Sequence, residues 1–253
     1  MAGPLPPPVL ASPPIEGALT PRLRAQPPLV HAGAPYLGLA WPALAWLEQN
    51  VRPGMSTLET GSGASTIVFA ACGASHVAIS PVAEEHERIE RYCEQHGIAT
   101  DDLHFIAESS DTALRGTWRQ APLDLVLIDG AHSFPFPVLD WAALAPHMRS
   151  GSRLLVDDAY QPAVNMLVRY LRRHPGWALE RVLGHRTPCF RKLDDAGLVG
   201  DWDDETLGRP RFDYLPPAPR LGAWLRHRLL ERGPLAPVLQ RPLARLGTRL
   251  SRR

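Results

Sequence analysis

Short apolar segments alternate with helical segments between residues 34 and 194 of this chain. Seven segments have the length and composition of β-strands, namely MSTLE, HVAIS, LHFIAES, LDLVLID, SRLLVDD, WALERVL and TPCFRKL. LDLVLID contains a continuous apolar run bounded by acids, which is typical of a parallel strand buried on both faces. The last two surround the short turn GHR and predict an antiparallel pair at the sheet edge. The alternation predicts an α/β fold with a doubly wound, mostly parallel seven-stranded sheet, an antiparallel edge strand, and a site at the carboxyl ends of the strands.

The chain divides into three parts by composition. Residues 1–30 contain the proline-rich segments GPLPPPVLASPP and AQPPLV and are predicted to form a disordered leader, because proline removes backbone donors. Residues 31–195 form the predicted functional domain, since 253 residues suffice for one sizeable core. Residues 196–253 are a C-terminal extension that ends in a basic, leucine-rich tail. From Arg220 onward this tail holds nine Arg and one Glu.

Charge and cysteine content exclude several classes of function. The formal net charge of +1 gives no general attraction for nucleic acid. Cys72, Cys93 and Cys189 are widely spaced, so neither a disulfide framework nor a zinc site is indicated. No apolar stretch has the length of a membrane span, and the start of the chain lacks the pattern of a signal peptide. We therefore expect a cytoplasmic protein. Its basic tail either contacts an anionic membrane surface or docks on the domain with its arginines in solvent.

A glycine turn, LETGSGAST at residues 58–66, follows the first predicted strand. A nucleoside triphosphate loop requires a lysine after its last glycine, and none is present here. A dinucleotide turn requires a third glycine where Thr66 stands and an acid after the second strand, where Ser80 stands. Both occupants are therefore disfavoured. The turn either holds another cofactor or serves only as a strand-to-helix corner.

Carboxylates follow two neighbouring predicted strands. Asp129 ends LDLVLID, and Asp157 and Asp158 end SRLLVDD. Three such charges would repel one another unless a cation or a cationic group joins them. Magnesium prefers hard oxygen ligands and would help a bound hydroxyl lose its proton, so these residues are a candidate Mg²⁺ site. The alternative is structural, with Asp129 capping the next turn and Asp158 capping the following helix.

The order strand, Glu59, Gly61 and Gly63, together with the segment DLVLIDGAHSFPFPVLDWAALAPHMRSGSRLLVDDAY, resembles class I S-adenosylmethionine (SAM)-dependent methyltransferases. The resemblance spans residues 58–193 and is greatest to metal-dependent O-methyltransferases of the catechol and macrocin types. It implies a Rossmann-like fold in which the glycines approach the methionine part of SAM and the acid acts on its ammonium group. It also implies that the three aspartates bind magnesium.

The resemblance assigns cofactor contacts to residues near four strand ends. Ser65 and Thr66 would add hydroxyl contacts to SAM, or would instead cap the following helix. Ser110 corresponds to a serine that meets the adenine, and Ser80 replaces the usual ribose-binding acid. Glu84 or Glu85 could supply the missing carboxylate. The predicted cofactor-binding residues are Glu59, Gly61, Ser62, Gly63, Ser65, Thr66, Ser80, Ser110 and Asp129.

The predicted catalytic residues are His132 and Asp129. His132 stands three residues after Asp129, where catechol-type enzymes carry a catalytic lysine. A histidine can remove a hydroxyl proton near neutral pH, so His132 is the general-base candidate, although a loop histidine can also serve only to bond backbone. Phe134, Phe136 and Trp141 either border the acceptor pocket or pack in the core.

The sequence therefore predicts a SAM-dependent methyltransferase that acts on a hydroxyl of a small molecule or glycan with the help of Mg²⁺. One alternative is a metal-independent methyltransferase that uses His132. Another is a non-catalytic scaffold that binds SAM or a nucleotide and is tethered by its basic tail.

Overall fold

We analysed a computed structural model that describes residues 18–25, 27–28, 30–31, 38–118, 122–195 and 216–226. The chain forms two compact units, Met1–Leu207 and Gly208–Arg253, which are described separately. The first part of the predicted leader and most of the C-terminal extension lie outside the described residues.

The first unit contains a seven-stranded mixed sheet, as predicted. The strands are β1 (Ser56–Thr60), β2 (Ser75–Ile79), β3 (Leu103–Ile106), β4 (Leu123–Ile128), β5 (Met148–Val156), β6 (Trp177–Leu183) and β7 (Thr187–Lys192). Their order in the sheet is β3-β2-β1-β4-β5-β7-β6, and the neighbours from β3 to β5 are parallel. Strand β7 runs antiparallel to β5 and β6 and lies between them. The antiparallel strand is therefore one position in from the sheet edge, which β6 forms.

Helices cover both faces of the sheet. They are α1 (Leu19–Ala25), α2 (Trp41–Asn50), α3 (Ala64–Ala71), α4 (Ala83–Gln95), α5 (Ser110–Ala113), α6 (Phe136–Leu144) and α7 (Pro162–Leu171), with a short 3₁₀ turn at Ala145–His147 before β5. Leu125 and Leu127 of β4 pack with α1 to α4, while Val126 and Ile128 pack with α5 to α7. From Leu125 to Ile128, β4 is buried on both faces, so this part of its sequence is continuously apolar rather than alternating.

Helix α1 corrects the predicted leader of residues 1–30. Leu23 is fully buried, and Leu19 and Val30 are almost fully buried in the same core cluster as α2 and α3. The Glu48 carboxylate of α2 accepts hydrogen bonds from the backbone N–H groups of Leu19 and Thr20, the first two residues of α1. These bonds satisfy donors that a helix start leaves open. The domain therefore begins before residue 31, because tertiary contacts stabilise a helix within a proline-rich segment.

In the second unit, the described part is helix α8 (Pro217–Arg226), with Leu221 and Leu225 exposed. Helix α8 contains the start of the basic tail, and the rest of the tail lies outside the described residues. No helix within the described ranges combines the length and apolar character that crossing a bilayer requires.

Candidate active site

The glycine turn brings the ends of three strands into backbone contact. Gly61 has a φ of +107°, and its N–H donates a 2.7 Å hydrogen bond to the carbonyl of Ile79 at the end of β2. A Cβ atom on Gly61 would lie 2.5 Å from the backbone carbonyl oxygen of Asp129, beyond the end of β4. Glycine is therefore required at this position by both conformation and space.

Glu59 stabilises the turn from within the protein. Its buried carboxylate accepts hydrogen bonds from the Ser65 hydroxyl at 2.6 Å and from the Thr66 hydroxyl. His76 Nε2 lies 3.2 Å from the same carboxylate. The Thr66 hydroxyl also accepts a 2.9 Å bond from the Gly63 N–H, which supports its alternative role at the helix start. Glu59 thus ties β1 to the first turn of α3, and its predicted contact with the SAM ammonium group stays a prediction.

Asp157 is fully buried and paired with Arg186. The guanidinium Nε donates to both carboxylate oxygens of Asp157 at 3.2 Å, and Nη2 makes a further bond to Oδ2. The Thr187 hydroxyl donates to Oδ1. These contacts follow from the antiparallel register, in which Leu155 of β5 lies opposite Cys189 of β7. Two residues further along β5, Asp157 reaches the level of Thr187, the first residue of β7. The register therefore brings the turn before β7 to the acidic pair after β5.

His132 lies between the two other predicted carboxylates. Its Nε2 is 3.7 Å from Asp129 Oδ1, and its Nδ1 is 3.5 Å from Asp158 Oδ2. The His132 side chain keeps 34% of its surface exposed, so a ligand can reach it. Asp158 has a φ of +54°, and α7 begins at Pro162 with Gln161 as its N-cap residue. The alternative role of Asp158 as a helix cap is therefore wrong.

The charges in this cluster shift the protonation of both partners of the Asp129–His132 contact. The interaction with Asp129 raises the pKa of His132, and the charge of Asp158 adds to that effect. Burial raises the pKa of Asp129, while its interaction with His132 opposes the shift. The imidazole is therefore a stronger base than a solvent-exposed histidine.

A pocket of about 340 Å³ opens beside the glycine turn. This volume is within the range of small-molecule sites. Of the predicted residues, the pocket is lined by Ser62, Gly63, Ser65, Asp129, His132 and Asp158. Within the described part of the chain, its lining does not include Glu59, Gly61, Thr66, Ser80, Ser110 or Asp157. The structure thus brings the glycine turn and the catalytic candidates together around one cavity.

Ser80 and Glu85 bear on the predicted ribose contact. Ser80 is buried after β2, and its hydroxyl accepts a 3.5 Å bond from the Val82 N–H. Glu85, in the first turn of α4, accepts a 3.2 Å bond from the Ser62 hydroxyl and contacts His31 Nδ1 at 2.8 Å. Of the two glutamates considered, Glu85 therefore has a carboxylate at the glycine turn. Its contact with the ribose stays a prediction.

Ser110 and Trp141 are buried and do not line the pocket. Ser110 begins α5 beside Asp140 of α6. Burial raises the pKa of the Asp140 carboxyl, and the hydroxyls of Ser110 and Thr60 oppose that shift. Trp141 is buried and packs edge-on against Tyr170 with ring centroids 5.2 Å apart. The core alternative therefore holds for Trp141. Phe134 is 68% exposed, and Phe136 is half-buried.

The predicted Mg²⁺ site does not fit this arrangement. Asp157 is saturated by Arg186 and Thr187, and Asp158 Oδ1 lies 3.1 Å from Arg186 Nη2. Among the residues that the structure describes, no group of three or more His, Cys, Asp or Glu side chains is placed to hold a metal ion. The three carboxylates are joined instead by the guanidinium of Arg186 and by His132, whose ring is charged only when it is protonated.

Several residues that line the pocket were not anticipated from the sequence, and Arg186, His31 and Tyr160 are among them. Arg186 stands in the GHR turn, where a basic residue before a strand antiparallel to β5 is the only available signal. His31 comes from the segment assigned to the domain border, and its ring lies 3.3 Å from the position of a Cβ on Gly63. Tyr160 follows the acidic pair and is 64% exposed at the pocket.

A comparison with protein families matches the middle part of the chain. Residues 58–159 match the family model described as a methyltransferase domain. This range contains the glycine turn, Asp129, His132 and the acidic pair. No curated protein is similar enough to the chain to count as a match.

Solved structures share the fold at low sequence identity. Cofactor-bound Rv0187 from MTB is 19% identical, with a TM-score of 0.55, over 66% of this chain and 85% of that one. The O-methyltransferase TomG from Streptomyces achromogenes, in complex with SAM, is 18% identical, with a TM-score of 0.54, over 66% and 87% of the two chains. An O-methyltransferase from Bacillus cereus in complex with SAH is 16% identical, with a TM-score of 0.53, over 70% and 90%. Residues 58–159 therefore match a methyltransferase domain, and the strand order of the sheet is that of the class I methyltransferase fold.

Proposed function

We propose that this methyltransferase transfers the methyl group of SAM to a hydroxyl oxygen of a small molecule or glycan, with His132 as the general base. The observation that carries the proposal is the position of His132, in the pocket beside the glycine turn and between Asp129 and Asp158. An exposed imidazole between two carboxylates is suited to accept a proton, because both charges stabilise the imidazolium that forms.

The proposed step is an in-line displacement. The acceptor O–H gives its proton to a ring nitrogen of His132 while the oxygen forms a bond to the methyl carbon of SAM. The carbon–sulfur bond breaks, and its electron pair remains on sulfur, which leaves S-adenosylhomocysteine (SAH). Alignment of the oxygen, carbon and sulfur supplies much of the rate, so the glycine turn and His132 must hold their relative positions. The contact between Gly61 and the Asp129 carbonyl supports this, since it joins the two segments directly.

We further propose that this step needs no metal ion. Mg²⁺ assistance, which the resemblance implies, would require Arg186 to leave Asp157 and Asp158. The partly buried guanidinium would then lose both of its carboxylate partners, which is costly for a charged group, so this exchange is unfavourable. The acceptor class is supported by exposed aromatic side chains near His132. Tyr160 lines the pocket, and Phe134 follows His132 by two residues, and such rings can stack on a sugar or phenol face.

Calorimetric titration with SAM and with SAH tests the cofactor assignment directly. We expect binding that is equal in EDTA and in MgCl₂. A panel of phenols and glycosides, followed by SAH release, then tests the acceptor class. SAM binding without any turnover would favour the scaffold alternative, whereas turnover that EDTA abolishes would show that the metal-independent route is wrong.

Replacement of His132 tests the base. We expect His132→Gln to lower kcat by roughly 10²- to 10⁴-fold, the usual contribution of a general base, with SAM affinity unchanged. His104→Gln is the matched control, because His104 is an exposed residue of β3 outside the pocket lining. Full activity of His132→Gln would contradict the proposed role.

Contact of the basic tail with an anionic membrane stays a separate prediction. Deletion of residues 220–253 and sedimentation with phosphatidylserine-containing liposomes tests it, because electrostatic binding requires the Arg residues of the tail. If the full-length and the truncated proteins sediment equally with the liposomes, the tail does not bind the membrane.

A further inference from the structure

Arg186 is shared between two carboxylates that belong to adjacent residues. Its Nε and Nη2 atoms bond Asp157, and Nη2 also lies 3.1 Å from Asp158 Oδ1. Nη2 donates a further 3.1 Å bond to the backbone carbonyl of Gly38. One guanidinium thus holds together the end of β5 and the segment that precedes α2.

The other amino group of Arg186 is available to a ligand. Nη1 makes no hydrogen bond with any residue in the described part of the chain. Arg186 lines the same pocket as His132 and keeps 28% of its side-chain surface exposed. A guanidinium carries five N–H donors and stays charged at all accessible pH values. Its remaining donors therefore match an acceptor oxygen that gains negative charge.

The backbone holds Arg186 in place from both sides. Its carbonyl accepts a 3.0 Å bond from the Ala159 N–H, next to the acidic pair. The neighbouring Gly184 approaches Ala40 so closely that a Cβ on it would lie 2.9 Å from the Ala40 Cβ. His185 and Asp158, on the two sides of the ion pair, both have left-handed φ values, of +64° and +54°. Non-glycine residues persist in this conformation only where the surroundings enforce it, which indicates a built site.

We infer that Arg186 is the resident cation of this site, in the place between Asp157 and Asp158 that a divalent metal would otherwise take. Its charge holds the two carboxylates together, its size fills the space between them, and its free Nη1 binds the acceptor oxygen. Binding of the acceptor oxygen rests on the proposed function, whereas exclusion of the metal does not. The two parts can therefore fail separately.

The exclusion of the metal predicts a gain of metal binding when the guanidinium is removed. In Arg186→Gln, Asp157 and Asp158 lose the guanidinium, and together with Asp129 they form an acidic cluster that keeps its contacts with Thr187 and His132 and can offer oxygen ligands to a metal ion. We expect Mn²⁺ to bind this variant at least about tenfold more tightly than the unaltered protein, because opposed carboxylates attract a cation. Electron paramagnetic resonance of free Mn²⁺ measures this without SAM, acceptor or turnover.

Two further variants make the result specific. The double variant Arg186→Gln with Asp158→Asn should lose the gained Mn²⁺ affinity, since one ligand is removed. Arg191→Gln is the matched control, because Arg191 pairs with Glu180 on the same hairpin and Arg153 also pairs with that glutamate. It should bind Mn²⁺ no better than the unaltered protein.

Two results would overturn the inference. One is that the unaltered protein binds Mn²⁺ and that Asp158→Asn abolishes this binding. The other is that the Arg186→Gln variant is folded, as verified by circular dichroism, but gains no Mn²⁺ affinity. If Arg186→Gln does not fold, Arg186→Lys keeps a positive charge with fewer fixed donors, and the measurement on the unaltered protein alone still decides the metal question. Loss of turnover in Arg186→Lys with SAM affinity retained supports the Nη1 contact, whereas unchanged kcat and KM would contradict it.

Discussion

The α-carbon of Gly61 faces the backbone carbonyl of Asp129 so closely that a methyl group between them would lie 2.5 Å from the oxygen. The substitution Gly61→Ala therefore forces the ends of β1 and β4 apart and places alanine at a φ of +107°. We expect it to destabilise the domain by roughly 1–3 kcal/mol and to weaken SAM binding, because overpacking and left-handed strain act together. Urea unfolding and calorimetry measure the two effects.

Gly97→Ala is the control for Gly61→Ala. Gly97 has a φ of +65°, but a Cβ on it would meet nothing within 4 Å. The Gly97→Ala variant therefore has the strain of a left-handed alanine but no close contact between the new Cβ and the backbone. Equal SAM affinity for the two variants would contradict the importance of the Gly61–Asp129 approach.

The pH dependence of methyl transfer should report His132. Its interaction with Asp129, and secondarily the charge of Asp158, raises the pKa of His132 above the usual value of 6.5. A base acts in its deprotonated form, so kcat/KM should rise as pH increases, with the midpoint of the rise above 6.5. Asp158→Asn removes a negative charge 3.5 Å from Nδ1 and should move the midpoint to lower pH.

This pH profile needs an acceptor from the panel and a carboxylate control. Glu94→Gln removes an exposed carboxylate in the last turn of α4, so its profile should match that of the unaltered protein. An unchanged midpoint in Asp158→Asn would argue that another group controls the rise.

Asp140 should make the protein less stable as pH rises. Burial raises the pKa of this carboxyl from 3.8 to about 6, so the folded protein retains the proton at pH values where the unfolded chain has lost it. Stability should fall as pH rises from about 4 to about 6, by about 3 kcal/mol for a shift of this size. Asp140→Asn removes the buried charge, so it should be stabilising at pH 7.5 and nearly neutral at pH 4. Urea unfolding at both pH values provides the comparison, with exposed Glu87→Gln as control.

Truncation of the N-terminal segment should show that helix α1 contributes to the stability of the domain. A protein that begins at residue 18 keeps Leu19, Leu23 and Val30 in the core, whereas one that begins at residue 31 loses all three. Loss of a single buried leucine side chain costs about 2–5 kcal/mol, so the shorter protein should unfold at a much lower temperature or fail to fold.

Leu23→Ala provides the same test without a change in length, and exposed Arg24→Ala is its neighbour control. Thermal unfolding measures all four proteins. A protein lacking residues 1–30 that melts with the full chain would show that α1 contributes nothing to the core.

The strands and the glycine turn were predictable because their signals are local. The part of a parallel strand that is buried on both faces, such as Leu125–Ile128 of β4, must be apolar, and a strand-to-helix corner with a left-handed residue favours glycine. The acidic residues after β4 and β5 could also be placed, since parallel strands end at one edge of the sheet.

Helix α1 and Arg186 were not predictable, because their positions depend on contacts distant in sequence. Local composition disfavours a helix at residues 19–25, and the bonds from Glu48 and the burial of Leu23 outweigh it. Arg186 reaches Asp157 only because β7 inserts between β5 and β6 in one register. The sequence alone does not reveal that register. It therefore indicates that the acidic residues need a cation, but not which cation.

The bond from Arg186 to Gly38 joins the two ends of the folded domain across the pocket. During synthesis, the ribosome releases the glycine turn early and the last hairpin late. Until that hairpin emerges, the nascent chain contains Asp157 and Asp158 without the arginine that pairs them. The pocket can therefore form only after residue 186 has been synthesised. A chain that ends before residue 186 would contain Asp157 and Asp158 without their guanidinium partner, and we expect it to be inactive.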